Sequence, residues 1–206
     1  MNPSKLPDWR GHTAVVLASG PSLTLEQCRL VEAAPAKTIA VNSTWRLIDA
    51  DVLFAVDYLF FKVCLPEFRA AKRRAAVWTQ DRSAAERWGL NWVRQDSRPG
   101  LGDPGLRTNG NSGMGAINLA YLFGARRVLL VGMDMTLGPK GEKHHHADHP
   151  KPLVQGLVFS EWLHKGRDLA KGLKVAGVEV VNCTPGSALQ CFPMGDLAAE
   201  LAKSKL

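Results

Sequence analysis

The sequence predicts a single α/β domain of the Rossmann-like, doubly wound type, in which a mostly parallel sheet carries helices on both faces. Two observations predict it. Short apolar segments alternate with segments of helical period almost throughout the 206 residues, a pattern typical of parallel sheets covered on both sides. The length suits one domain with a sizeable core, which we place at about 13–195 of the domain 1–206.

The individual elements follow from local composition. β-branched and leucine residues in short apolar runs indicate buried strands, and glycines or capping residues mark the helix ends. The run 127–132 follows a helix ending at Gly124 and is typical of a central strand. The predicted strands are 13–18, 37–41, 52–56, 75–78, 91–93, 127–132 and 178–182. The predicted helices are 22–34, 59–72, 83–88, 112–124, 159–176 and 195–204.

The first predicted strand ends in the turn Ser19-Gly20-Pro21-Ser22, and we expect Ser22 to cap the next helix. Amides at a helix N-terminus point outward unpaired, so this layout favours a phosphate-binding loop. It matches neither the dinucleotide pattern G-x-G-x-x-G nor the P-loop. A tight turn needs glycine for steric reasons too, so both interpretations stay open. Valine at position 20 is expected to abolish nucleotide binding without unfolding the protein.

The net charge of +7 favours anionic ligands, namely nucleotide phosphates, nucleic acid or an anionic membrane face. The densest basic cluster lies at 69–74 and is either a solvated helix face or a patch for an anionic acceptor. No apolar run approaches the roughly 18–20 residues of a membrane span, and the first residues do not form a signal peptide. We therefore expect a cytoplasmic protein.

The four cysteines show no C-x-x-C spacing and lie in or beside apolar segments. Such cysteines are expected to be buried free thiols of a protein in a reducing compartment. They are Cys28, Cys64, Cys183 and Cys191.

Two long segments, 95–111 and 135–158, are rich in glycine and proline and exceed the usual connection of about 4–6 residues. Such segments are either disordered or functional. Both follow predicted strands, so we expect both at the carboxyl edge of the sheet, where ligands bind.

Polar residues follow most of the predicted strands or precede the next helix. In a doubly wound sheet these positions meet at one edge, where they suit a base, a ribose and phosphates. The same residue types also serve as caps and turn residues, so each alone is open to a structural role. We expect Asn42, Asp57, Ser112, Asp134 and Asn182 to converge on one pocket. The candidate nucleotide-binding residues are Ser19, Gly20, Pro21, Ser22, Asn42, Ser43, Asp57, Asn111, Ser112, Gly113, Gly132, Asn182, Thr184 and Ser187.

Four motifs together resemble the bacterial sialyltransferases that use CMP-sialic acid: Gly20-Pro21-Ser22-Leu23, Val41-Asn42, Asn111-Ser112-Gly113 and 129–134. They are also similar to a wider group of bacterial and phage proteins with a Rossmann-like core, one branch of which has pterin diphosphokinase activity. The resemblance covers most of the chain, from about residue 13 to about 195, and includes a C-terminal element at 182–189.

The resemblance implies that the turn 20–22 lies against the nucleotide phosphate and ribose. It further implies that Asn42 bonds a phosphate, that Ser112 and Gly113 hold the ribose or phosphate region, and that Asp134 lies at the floor of the site. In the sialyltransferases a histidine beyond the corresponding strand acts as the general base, and tyrosines assist departure of the nucleotide.

Tyrosines are the point at which this chain departs from that family. Its tyrosines, Tyr58 and Tyr121, lie outside the segment 135–158. Stabilisation of the leaving group is therefore expected from backbone amides, from Lys140 or Lys143, or from a metal.

Four histidines lie within 144–149, together with Asp148. A neutral imidazole, with a pKa near ~6.5, suits a general base acting on a hydroxyl. His146, His149 and Asp148 suit a divalent metal instead, and a loop without a role is the third interpretation. The candidate bases are His144, His145 and His146, with His145 preferred as the central one. The segment 135–158 is expected to be a mobile lid that closes over the donor.

The leading hypothesis is a glycosyltransferase that takes a nucleotide sugar as co-substrate and uses a histidine, with Asp134, to act on an acceptor hydroxyl. DNA and an anionic glycan are the candidate acceptors. The first alternative is a diphosphokinase or nucleotidyl transferase with Mg²⁺ held by Asp57 or Asp134. The second is a non-catalytic protein that binds nucleotides or nucleic acid.

Overall fold

A seven-stranded sheet with every neighbouring pair parallel forms the centre of the molecule. The computed structural model describes residues 1–146, 156 and 158–204. Within them the strands are β1 (Thr13–Leu17), β2 (Lys37–Val41), β3 (Val52–Phe54), β4 (Ala76–Thr79), β5 (Asn91–Trp92), β6 (Arg127–Val131) and β7 (Glu179–Asn182). The helices are α1 (Leu25–Glu32), α2 (Tyr58–Ala70), α3 (Arg82–Trp88), α4 (Ser112–Leu122), α5 (Phe159–Val175) and α6 (Leu197–Ala202), and a 3-10 helix spans Asn42–Arg46.

The strands lie in the order β5-β4-β3-β2-β1-β6-β7, with helices on both faces. Side chains of a strand alternate between the two faces, so Val16 on β1 packs into one apolar core and Val15 into the other. The first core holds α4 and α5, and the second holds α1, α2, α3 and α6. The predicted single Rossmann-like α/β domain is confirmed. The 3-10 helix was not predicted, because its five residues are too short for a helical period to be seen.

Helix α4 lies against β1 and β2 in the centre of the fold. All residues from Gly113 to Ala120 are buried. Gly115 is needed here because a Cβ at this position would lie 3.1 Å from the ring of Phe54. The long segment 95–111 is tied to this helix, since the side chain of Asn118 accepts hydrogen bonds from the amides of Gly102 and Arg107. The segment thus positions the N-terminus of α4.

The N-cap of the first helix lies two residues later than predicted. Its N-cap is Thr24, whose hydroxyl accepts the amide of Gln27 while the Gln27 side chain accepts the amide of Thr24. This reciprocal capping box fixes the start of the helix at Thr24 and not at Ser22. Ser22 is therefore not the helix cap, and the turn 19–22 is separated from the first turn of α1.

Replacing Thr24 with alanine is expected to lower the free energy of unfolding by about 1 kcal/mol, because one amide of α1 loses its partner. Thr24→Ser keeps the hydroxyl and is expected to change it by only a few tenths of a kcal/mol. Urea unfolding of both variants checks this. Equal losses in the two variants would contradict the capping role.

The cysteines are free: three are buried and Cys191 is half-buried. Burial raises the pKa of the Cys28 and Cys183 thiols to about 11, and it also raises the pKa values of Cys64 and Cys191. Thiols of this kind stay protonated at neutral pH and are poor nucleophiles. Within the described ranges no helix combines the length and apolar character that a membrane span requires.

The basic cluster at 69–74 is largely engaged with the backbone of neighbouring elements. Arg69 donates to the carbonyl of Trp88 at 2.6 Å, and Arg74 donates to the carbonyl of Asp49 at 3.1 Å. Arg74 also lies 3.6 Å from the Asp49 carboxylate. These contacts favour the interpretation as a solvated helix end that ties α2 to its surroundings.

Candidate functional site

The order of the strands reverses between β1 and β6, because β2 to β5 extend to one side of β1 and β6 and β7 to the other. In open parallel sheets the loops on either side of such a switch point diverge and leave a crevice at the carboxyl ends of the strands. A cavity of about 360 Å³ lies at this place. Cavities of a few hundred Å³ are typical of small-molecule sites.

Most of the predicted site residues border this cavity, including four of the five expected to converge. Asn182 is the exception. The lining residues among those predicted are Ser19, Gly20, Pro21, Asn42, Asp57, Asn111, Ser112, Gly113, Gly132, Asp134 and His144. The predicted residues that lie outside the lining are Ser22, Ser43, His145, His146, Asn182, Thr184 and Ser187.

Asp134 connects the turn after β1 to the turn after β6. Its Oδ1 accepts the amide of Ser22 at 3.0 Å, and its Oδ2 is buried without a hydrogen-bond partner among the described residues. Burial raises the pKa of Asp134, and hydrogen bonding from Ser22 opposes that rise. The carboxyl group is therefore a buried tie between two turns.

Gly20 is required by the close approach of Asp134. A Cβ at position 20 would lie 1.9 Å from Oδ2 of Asp134 and 2.5 Å from the carbonyl oxygen of Gly132. The expectation that valine at position 20 leaves the fold intact is corrected accordingly, since the side chain would meet protein atoms before it met a ligand.

The turn after β1 is also fixed to the 3-10 helix. The hydroxyl of Ser19 lies 3.2 Å from the carbonyl oxygen of Val41 and 3.1 Å from the hydroxyl of Thr44, which donates in turn to the carbonyl of Ala18. Ser43 is buried within the same 3-10 helix, 1% exposed, and takes no part in the cavity wall. The predicted role of Ser43 in binding is thus not supported by its position.

Two residues of the cavity wall have left-handed backbone conformations that side chains other than glycine rarely adopt. Asn42 has φ +51° and Met135 also has φ +51°. Asparagine tolerates this region, whereas methionine is strained there. Such strained residues are enriched at binding and catalytic sites.

The N-terminus of α4 forms one wall of the cavity. The side chain of Asn111 accepts the amides of Gly113 and Met114, at 2.8 and 3.3 Å. Ser112, the first residue of α4, also lines the cavity. Since the helix dipole places partial positive charge here, this wall can accept an anion.

Three predicted binding residues at and after the end of β7 form a buried network instead of a binding surface. Asn182 donates to the hydroxyl of Ser187 at 3.0 Å and to the carbonyl of Leu189 at 3.2 Å, and it accepts the amide of Thr184 at 3.1 Å. The Thr184 and Ser187 hydroxyls bond the amide and carbonyl of Met133, at 2.9 and 2.6 Å. Their polar groups are satisfied within the protein, so their predicted nucleotide contacts are corrected to support of the turn after β6.

Three aromatic side chains also line the cavity. From the sequence they were assigned only to helices. Phe60 comes from α2, and Phe159 and Trp162 come from α5. The last two meet edge to face with ring centroids 5.7 Å apart. Apolar walls with few polar groups are typical of ligand sites. Phe159 and Trp162 come soon after the long segment 135–158, and this position is the sequence signal that points to them.

The segment 138–145 borders the cavity, is closed into a turn at its first end, and is tied to the turn after β1 at its second end. The amide of Gly138 donates to the carbonyl of Glu142 at 2.8 Å, and the amide of His145 donates to the carbonyl of Ser19 at 3.1 Å. Between these points, Lys143 and His144 contribute to the cavity wall. We call this segment the strap.

The three candidate histidines differ in their surroundings. Burial, together with the neighbouring His146 and His144, lowers the pKa of His145 to about 4. A base with such a pKa is poorly matched to neutral pH, and His145 does not line the cavity. His144 therefore replaces His145 as the preferred candidate base. The ring of His144 stacks on that of His146, with the ring centroids 5.1 Å apart.

Part of the predicted lid and of the predicted metal site lies outside the described residues. This applies to 147–155 and 157, and so to Asp148 and His149. The motion of the lid stays a prediction. Among the described residues no group of three His, Cys, Asp or Glu side chains is placed to hold a metal ion.

A second groove, at the amino-terminal edge of β2 and β3, is crossed by its own polar contacts. Asp51 accepts the amide and hydroxyl of Thr38 at 2.9 and 3.0 Å, and Arg74 lies 3.8 Å from its other oxygen. These pairs leave few groups for a ligand.

Comparisons with known proteins give no family. No protein-family model matches the chain, and no curated protein matches it. Among solved structures, an uncharacterized protein from Mycobacterium Paratuberculosis aligns with 97% of this chain and 75% of its own length, at 18% identity and a TM-score of 0.32. A likeness at this level carries no argument about the site.

Proposed function

We propose that this protein is a glycosyltransferase that binds a nucleotide sugar in the cavity at the switch point and transfers the sugar to an acceptor hydroxyl. The observation that supports the proposal is that three features border the same cavity. They are the N-terminus of a helix, which can accept an anion, a wall of aromatic side chains, and the imidazole of His144. These three features suit a phosphate, a planar base or sugar ring, and a hydroxyl that loses its proton.

The binding roles follow from the chemistry of each wall. The amide of Ser112 at the N-terminus of α4 is placed for a phosphate oxygen. Phe159 and Trp162 offer apolar ring faces for the base or the sugar. Asn42 begins the 3-10 helix, which Ser19 ties to the turn after β1, and its place in the cavity wall suits a hydrogen bond to the donor.

The chemical step needs a base for the acceptor. As the acceptor oxygen forms its bond to the anomeric carbon, His144 accepts the hydroxyl proton. The bond between the anomeric carbon and the phosphate oxygen breaks, and its electron pair leaves with the nucleotide. Asp134, whose Oδ1 accepts the amide of Ser22 and whose Oδ2 packs closely against Gly20, is a positioning residue and not the predicted catalytic one.

A thermal-shift panel of nucleosides, nucleoside monophosphates and diphosphates, and nucleotide sugars tests the proposal. A ligand at 100 times its Kd is expected to add about 2.7 kcal/mol to the free energy of unfolding. Trp162→Ala is expected to remove most of that gain. Trp88→Ala, which changes a tryptophan outside the cavity, is the matched control and is expected to keep it.

The products complete this test. Release of free nucleotide with sugar joined to an acceptor supports the proposal. Phosphoryl or nucleotidyl transfer that requires Mg²⁺ would replace it with the diphosphokinase alternative. A wild-type protein that no nucleotide stabilises would contradict it.

A further inference from the structure

We propose that Lys143 is the residue that neutralises the phosphate of the departing nucleotide. The proposal rests on the function proposed above and selects one residue from the candidates for leaving-group stabilisation that the sequence left open. It is carried by the position of Lys143 on the strap and in the cavity wall, and by the lack of an ion-pair partner among the described residues.

The strap fixes where Lys143 lies. Its turn is closed by the amides of Gly138 and Lys140, which donate to the carbonyl and the side chain of Glu142, each at 2.8 Å. Its far end is held by the hydrogen bond from His145 to Ser19. Lys143 is therefore presented to the cavity on the side that carries the turn after β1.

Lys143 is also unpaired with any acidic side chain that the structure describes. Within the described part of the chain it forms no ion pair, and its neighbour Glu142 is directed to the backbone of the strap. Lys140 lies on the same strap but outside the lining. Lys165, on α5, pairs with Glu161 at 2.5 Å. Lys143 is thus the lysine of the described lining that is available to an anion.

Departure of the nucleotide creates the charge that this lysine would meet. When the bond from the anomeric carbon to oxygen breaks, the electron pair stays on the phosphate oxygen, and the phosphate gains one negative charge. No tyrosine lies in the described lining to stabilise it. An ammonium group provides charge-assisted hydrogen bonds for this purpose, and the amide of Ser112 at the N-terminus of α4 adds to them.

Binding measurements separate the phosphate from the rest of the nucleotide. Calorimetric titration with the four ribonucleoside monophosphates and their parent nucleosides is compared between wild type, Lys143→Met, Lys143→Arg and the matched control Lys140→Met. Lys143→Met is expected to weaken monophosphate binding roughly 10- to 100-fold. It is expected to leave nucleoside binding within about 3-fold, and Lys140→Met to leave both unchanged.

The outcomes distinguish this proposal from the one it rests on. In one outcome the wild type binds nucleotides while Lys143→Met weakens the binding of nucleosides and monophosphates equally, or weakens neither. Either result would overturn the role of Lys143 and leave the proposed function standing. Absence of nucleotide binding by the wild type would overturn both. In transfer assays kcat is expected to fall more than KM rises, and Lys143→Arg is expected to restore part of the kcat.

Discussion

Replacing His144 with alanine is expected to lower kcat for sugar transfer by about 10²- to 10⁴-fold, because the acceptor hydroxyl loses its general base. The Kd of the nucleotide is expected to stay within about 3-fold, since the phosphate and ring contacts come from other residues. Steady-state kinetics and calorimetric titration of the same preparation check the two halves of this prediction.

His145→Ala and His146→Ala are the controls for this change. Neither residue lines the cavity, so both variants are expected to keep more activity than His144→Ala. Full activity in His144→Ala would show that His144 is not the general base. Loss of activity in all three variants, restored by added zinc or manganese, would favour the metal interpretation of the histidine segment.

Replacing Gly20 with valine is expected to lower the free energy of unfolding by about 3 kcal/mol or more, at the upper end of overpacking costs. The reason is the overlap of the new side chain with the Asp134 carboxylate and the Gly132 carbonyl oxygen. Denaturant unfolding of the purified variant measures the loss. An unfolding free energy equal to that of wild type would contradict the contact.

A double-mutant cycle with the smaller change Gly20→Ala keeps the test readable if the valine variant does not fold. Asp134→Ala removes the atoms at 1.9 and 2.7 Å from the new Cβ but leaves the Gly132 carbonyl oxygen at 2.5 Å. The alanine at position 20 is therefore expected to cost at least about 1 kcal/mol less in the Asp134→Ala background. Additive losses would show that the two residues are not in contact.

The sheet was predictable because its signal is local and repeated. Each of the seven described strands overlaps a predicted strand, and strand-helix alternation leaves few topologies other than a parallel sheet with helices on both faces. The edge of the sheet at which ligands bind follows from that topology. For this reason the sequence alone predicted that four residues would border one cavity, namely Asn42, Asp57, Ser112 and Asp134.

The separation of binding residues from supporting ones was not predictable. Asn182 ends β7 and Asn42 comes directly after β2, but Asn182 is fully buried in a hydrogen-bond network whereas Asn42 borders the cavity. That difference depends on which residues the next loop brings back, and sequence spacing does not contain it. Trp162 was missed for the same reason, because one face of α5 reaches the cavity only through tertiary packing.

Hydrogen–deuterium exchange with and without the nucleotide that gives the largest thermal shift shows whether the nucleotide binds in the switch-point cavity. Slower exchange on binding is expected at 18–21, 110–113 and 132–136, the three segments that border the cavity between β1 and β6. Slower exchange confined to 31–38 and 48–51, around the groove at the opposite edge of the sheet, would contradict it. Unchanged exchange in a protein saturated with the nucleotide would contradict it as well.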